Sequence, residues 1–200
     1  MAHAERVRAT LSTCGLLLLQ DKTLPSVATL VAGGPVGGSW WSHPKSHAIF
    51  RVVTGLADDP DVTATKLLAG KVTFVHRRLW PALLAVATAR EAWQLRGLPL
   101  PAKRLLKEAE RTEIVVASGP DLKEIERRLL AHTTEFHTES GAHKMAVEAW
   151  VVWAERVGCD TIVPVSRARR MLEDAVSAIG GRPALLPWHR MAPAKSKARR

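Results

Sequence analysis

Apolar residues along this chain recur mostly at helical spacing, broken by two short β-branched runs. Val7, Leu11 and Leu18 share a face of a helix predicted over residues 4–20, with Gly15 as its weak point. Val27, Leu30 and Val31 follow Pro25 and run into a glycine-rich stretch at 33–38, read as a linker. Ile49, Val52, Val53 and Leu56 fall at i, i+3, i+4 and i+7, the apolar stripe of one amphipathic helix. Asp58-Asp59-Pro60 stops that helix and restarts the chain. A short helix with Ala64, Leu67 and Leu68 inward is then expected, closed by Gly70. Residues 71–75 read as a strand, and a longer helix runs from Leu79 to about Arg96, carrying Leu83, Val86 and Ala87.

The second half has a similar rhythm. Pro101 opens a helix bearing Leu105, Leu106 and Ala109, residues 113–117 read as a strand, and Ser118-Gly119-Pro120 is a turn. Asp121 and Glu124 have capping-box spacing ahead of Leu122, Ile125 and Leu129. Beyond Gly141 the pattern predicts a helix with Met145, Ala149, Val152 and Trp153. Ser166 caps a last helix with Met171, Leu172, Ala175 and Ile179, ended by Gly180-Gly181. The fold class that follows is mostly α with small β wings, an α+β build of tandem winged-helix units. The segments are 1–38 (helical segment and linker), 39–97 (first winged-helix unit), 98–189 (second unit with C-terminal helices) and 190–200 (disordered basic tail).

Composition narrows the function classes. With 46% hydrophobic and 24% charged residues the chain is globular, and 200 residues bury roughly 70% of the unfolded surface without staples. The longest aliphatic run, Leu16 to Leu19, is too short for a membrane span or a signal peptide. Cys14 and Cys159 alone make neither a disulfide framework nor a cysteine zinc site. The expectation is a cytoplasmic protein without a membrane partner.

Charge adds a partner class. The formal net charge is +10, and the five cations from Arg190 onward, accompanied by no acid, account for half of it. The remaining excess favours a polyanion. Lys66, Lys71, His76, Arg77 and Arg78 form a stretch without an acid, placed to neutralise phosphates. Trp40 and Trp41 stand beside His43 and Lys45. In an extended segment only one tryptophan need be core, leaving the other to stack on a base or wedge into a duplex. His132, Glu135, His137, Glu139 and His143 cluster, but their spacing lacks the i, i+4 histidine pair of a helical zinc site. Thr138, Glu139 and Ser140 read instead as a helix-start cap, with His137 and His143 bonded locally. No metal or other cofactor is expected. Gln20 and Asp21 are the candidate catalytic pair, since an amide or carboxylate at the edge of a buried element positions water.

The stretch GLLLLQDKTLPSV at 15–27, with the winged-helix pattern, resembles the AlkZ-type bacterial DNA glycosylases. GSWWSHP at 38–44, KVTFVHRRLWP at 71–81 and HTESGAH at 137–143 resemble the AlkZ-related proteins more closely. The resemblance implies tandem winged helices around a DNA cleft and metal-independent cleavage of the N-glycosidic bond of alkylated bases. The family's motif is a Gln, one spacer, then Gln or Asp. Gln20 matches its first position, Asp21 stands at the spacer and Lys22 at the second position. In that role Asp21 would stabilise the oxocarbenium-like sugar with Gln20 orienting water, and Lys22 would keep Asp21 ionised. The expected function is duplex DNA binding, nucleoid-associated, with base excision as its chemistry. A non-catalytic winged-helix DNA-binding or protein-interaction module is the alternative.

Overall fold

The computed structural model describes residues 2–137 and 143–191. It is an α+β fold built around two small antiparallel sheets. The first body runs α1 (Ala2–Cys14), β1 (Leu16–Leu18), α2 (Val27–Ala32), α3 (Ser46–Ala57), β2 (Val62–Leu68) and β3 (Lys71–His76), with sheet order β1-β3-β2. Two helices, α4 (Trp80–Ala87) and α5 (Ala92–Leu95), lead to the second body. That body has α6 (Leu100–Ala109), β4 (Val115–Ala117), α7 (Pro120–Arg127), β5 (His132–His137) and β6 (His143–Glu148), with sheet order β4-β6-β5. It repeats the spatial strand order of the first with one helix fewer among the described residues. The chain closes with α8 (Trp150–Val157), α9 (Val165–Ala178) and α10 (Pro187–Arg190).

The first sheet has apolar packing on both faces, which explains its sequence. Leu17 and Phe74, paired across β1 and β3, join Val7, Leu11, Ile49 and Leu56 beneath the helices α1–α3. Leu16, Leu18 and Val75 face the other way, into a larger core with Trp80, Leu83, Trp153 and Leu172. A strand buried on both sides reads as a continuous apolar run, so Leu16 to Leu18 imitates helix. The helix expected over 4–20 therefore ends at Cys14. Gly15 makes the break at φ +81, where an added Cβ would stand 2.7 Å from Leu79 Cδ1.

Three further expectations change for local reasons. Ala64, Leu67 and Leu68 lie on a strand: Val62, Thr63 and Thr65 are β-branched, and Thr63 pairs with Val75 of β3. The helix expected from Leu79 to Arg96 is two helices, because Arg90 adopts φ 53 between α4 and α5. Gln94 Nε2 then ties them by donating to Ala87 O at 2.8 Å. Met145 belongs to β6, paired with Ala117 and Glu135, and the helix of Trp153 begins only at Trp150.

Helix starts also differ. Gly119 and Pro164 are the N-caps of α7 and α9, without a side-chain hydrogen bond, so neither Asp121 nor Ser166 caps. Glu124 is drawn instead to Arg127 and Arg128. Leu129 is buried but sits beyond α7 at φ 51. The cap expected at residues 138–140 lies outside the described residues, as does 192–200 of the expected tail; Arg190, the first residue of that tail, instead ends α10. No helix among the described residues is long and apolar enough to cross a membrane.

Candidate nucleic-acid interface

Gln20 and Asp21 leave the end of β1 and are both engaged by the protein. Gln20 Nε2 donates to Gly38 O at 2.6 Å, and its Oε1 accepts from Trp40 N at 3.2 Å. The side chain thus pins the end of the glycine-rich stretch to the sheet. Asp21 Oδ1 accepts from the Thr23 and Leu24 amides at 2.9 and 3.0 Å, closing a local turn. Its Oδ2 accepts from Lys71 Nζ at 2.6 Å. Burial pushes the Asp21 carboxyl up, but Lys71 and the two amides outweigh it and hold the group far below the usual carboxylate range. The partner that keeps Asp21 ionised is therefore Lys71, from β3, and not the adjacent Lys22.

The cationic stretch is likewise reshaped by the fold. Lys66 Nζ pairs with Glu126 of α7, Lys71 with Asp21, and Arg77 Nη1 with Asp61 Oδ1 at 2.9 Å. Arg78 Nη2 donates to Thr13 O at 2.8 Å, at the end of α1. His76 Nδ1 accepts from Arg78 N at 3.4 Å. A run without acids in sequence acquires three carboxylates in space. Its net positive charge is small, although Lys71, Arg77 and Arg78 all remain exposed.

Trp40 and Trp41 divide the work as one core and one surface residue. They lie in a 3-10 turn rather than an extended segment, with rings stacked at 3.9 Å. Trp40 is buried against Val36 and Ile49, whereas Trp41 is 62% exposed. Trp41 also approaches Phe50 of α3, with ring centroids 5.6 Å apart. His43 Nδ1 accepts from Lys45 N at 3.1 Å. Lys45 Nζ donates to Val31 O and Ala32 O at 3.3 and 3.0 Å, a cation at the C-terminus of α2.

No protein-family model, curated protein or solved structure matches this chain. The site must be read from its own chemistry.

The outer face of α3 is open to solvent. Ile49, Val52 and Leu56 point into the core, and His47, Phe50, Arg51 and Thr54 are exposed at the complementary i, i+3, i+4, i+7 positions. Arg51 forms no ion pair or hydrogen bond among the described residues. None of these four residues lies on the apolar stripe that marks the helix in the sequence. Their signal was the polar complement of that stripe, with one aromatic and one arginine side by side.

Beside the Gln20–Asp21 turn lies an open groove of about 660 Å³. Its walls include Gln20, Asp21, Lys22, Lys71, Arg182 and the hairpin residue Ala69. Ala69 and Gly70 form the β2–β3 turn with φ 53 and 73, and Ala69 N donates to Leu185 O at 2.8 Å. The tip of this hairpin is thereby fastened to the 183–185 segment.

Among the described residues His132 takes no part in a cluster of ligands. It is buried between Trp150 and Trp153, with Nε2 at 3.0 Å from Thr63 Oγ1 and Nδ1 at 3.4 Å from Glu148 Oε2. Arg156 forks onto the same carboxylate with two contacts of 2.8 Å. Burial raises the Glu148 carboxyl, but Arg156 and His132 more than offset this and lower its pKa to about 2. The cluster joins the two sheets. Glu139 lies outside the described residues, as do the side chains of His137 and His143. Among the described residues no group of three or more His, Cys, Asp and Glu is arranged to hold a metal ion.

Proposed function

We propose that this chain is a duplex-DNA-binding protein of winged-helix build, related to AlkZ-type glycosylases, that presents α3 to the major groove. The observation that carries the reading is the outer face of α3: exposed, free of acids from Ser46 to Ala57, and bearing an arginine without a partner among the described residues. The α-β-α-α-β-β order with sheet order β1-β3-β2 supports the winged-helix assignment, and the shorter second body supports a tandem one. In helix-turn-helix proteins, side chains on one exposed helical face reach base edges while flanking cations hold phosphates. Arg51 fits bidentate contact with guanine, and His47 and Thr54 fit further polar contacts. Trp41 and Phe50 supply an aromatic surface against sugars or an opened base step. Such a protein would act on the chromosome.

Fluorescence anisotropy with a plain labelled duplex tests this. Binding should appear at low salt, weaken steeply as salt rises, and persist at reduced strength when residues 190–200 are removed. Failure of both the full and the shortened chain to bind any duplex would overturn it and favour a protein-interaction module.

Base excision is a second reading, favoured by the open groove beside Asp21, which has room for an extruded base. Incubation with duplexes carrying N7- or N3-alkylated purines, scored for abasic sites, decides it. The existing bonds of Gln20 and Asp21 support a positioning role for both in the protein itself.

A further inference from the structure

Where α5, the end of α7 and α10 meet, a cavity of about 310 Å³ is walled by Trp93 and four arginines: Arg96, Arg127, Arg128 and Arg190. We propose that this cavity is a binding site for a phosphate group, either a terminal phosphate monoester or a backbone phosphodiester.

Among the described residues no acid lines the cavity. One carboxylate, Glu124, compensates part of the charge from outside it: Arg127 Nη2 contacts both its oxygens at 2.7 and 2.6 Å, and Arg128 Nε contacts Oε2 at 3.0 Å. Glu91, the acid bonded to the wall residue Trp93, is already held by Arg169. The arginines therefore stand in excess of their counter-charges, an arrangement that costs energy until an anion enters.

The cluster is also built rather than incidental. Arg128 is 6% exposed, and its Nη1 donates to Gln94 O and Arg96 O at 2.9 and 2.8 Å. Those bonds fix the guanidinium plane and leave Nη2 for a ligand. Arg96 and Arg190 are exposed and have no ion pair among the described residues, so their forks are free to close over an anion. Arg190 Nη1 reaches the hairpin tip, within 3.7 Å of the Cβ position of Gly70. Arginines around one point suit phosphate, whose acceptor oxygens take several planar forks at once. They gather at the C-terminal ends of three separate helices, so the site exists only in the folded chain.

The test is a titration of the full chain with inorganic phosphate at constant ionic strength, followed by ¹⁵N-edited NMR. Saturable shifts are expected at the Ala92 amide, the Trp93 indole N–H and the arginine Nε–H groups. Arg96→Gln with Arg190→Gln should weaken binding at least tenfold without changing the thermal midpoint, and Arg182→Gln in the other groove should leave it unchanged. Short duplexes with and without a 5′-phosphate then separate the sources. Preferential displacement of phosphate by the phosphorylated duplex identifies a monoester, and equal displacement identifies the backbone. Absence of saturable shifts, wild-type affinity in the double variant, or equal affinity for acetate would each overturn the proposal. Because inorganic phosphate is the first probe, this outcome is independent of whether α3 binds a duplex.

Discussion

Asp21 Oδ2 and Lys71 Nζ meet at 2.6 Å across 50 residues of chain. The contact joins the turn after β1 to the start of β3, at the hairpin end of the first sheet. It also spends two groups that sequence alone leaves free, a candidate catalytic acid and a candidate phosphate ligand.

Removing that carboxylate should therefore show in stability before it shows in binding. Asp21→Ala loses a charge-assisted pair and the acceptor of two backbone amides, and should cost about 2 kcal/mol in urea denaturation. Asp21→Asn keeps an acceptor for the Thr23 and Leu24 amides and should cost less than half as much. Duplex affinity should hold or rise slightly, since Lys71 is released. A variant with unchanged stability but abolished excision of alkylated purines would assign the carboxylate to the substrate instead.

The α3 face should behave in the opposite way. Arg51→Ala is expected to weaken duplex binding by roughly 1–3 kcal/mol. Unfolding free energy should stay within about 0.5 kcal/mol of wild type, as for an exposed side chain. Trp41→Ala should reduce affinity too, with some stability lost through its stack on Trp40. Anisotropy and denaturation on the same samples separate the two effects; unchanged affinity in both variants would clear α3 of the role.

Lys66 distinguishes a solvated phosphate ligand from a structural cation. Glu126, its partner, is buried at 4% exposure and also accepts from Thr133 Oγ1 at 3.1 Å. Lys66→Met should leave that carboxylate undercompensated and destabilise by about 1–3 kcal/mol. The slope of log affinity against log salt should not change. A reduced slope would mean that Lys66 reaches phosphate after all.

Acid should loosen the junction between the sheets. Glu148 has a pKa of about 2 in the fold against an ordinary 4.5. A lowered folded-state pKa contributes stability that is complete above the unfolded value and is lost as pH falls through the window between the two. The melting temperature should therefore drop from about pH 5 toward pH 2, and Glu148→Gln should flatten part of that drop. Parallel melts of both proteins that superimpose after an offset would exclude the Glu148–Arg156–His132 cluster as a contributor.

Local spacing was enough to place α3, α6 and β3, because each carries its own periodicity. The stripe Ile49, Val52 and Leu56 is buried as a helix requires, and the β-branched run at 71–75 forms the central strand of its sheet. The same reasoning failed at Leu16–Leu18 and at Ala64, Leu67 and Leu68, where apolar residues satisfy helical spacing as well as strand burial. Only pairing with β3, and cores on both faces of the sheet, decided for strand. The polar strand β5 gave no periodic signal at all; its register is set by cross-strand pairing with the next strand, β6. Charge divided along the same line. Sequence alone determined a basic chain, but Glu126, Asp21 and Asp61 reach the Lys66–Arg78 stretch, and four arginines gather around one cavity, only through tertiary packing. Coulomb interactions depend on distance in space, and separation along the chain does not fix that distance.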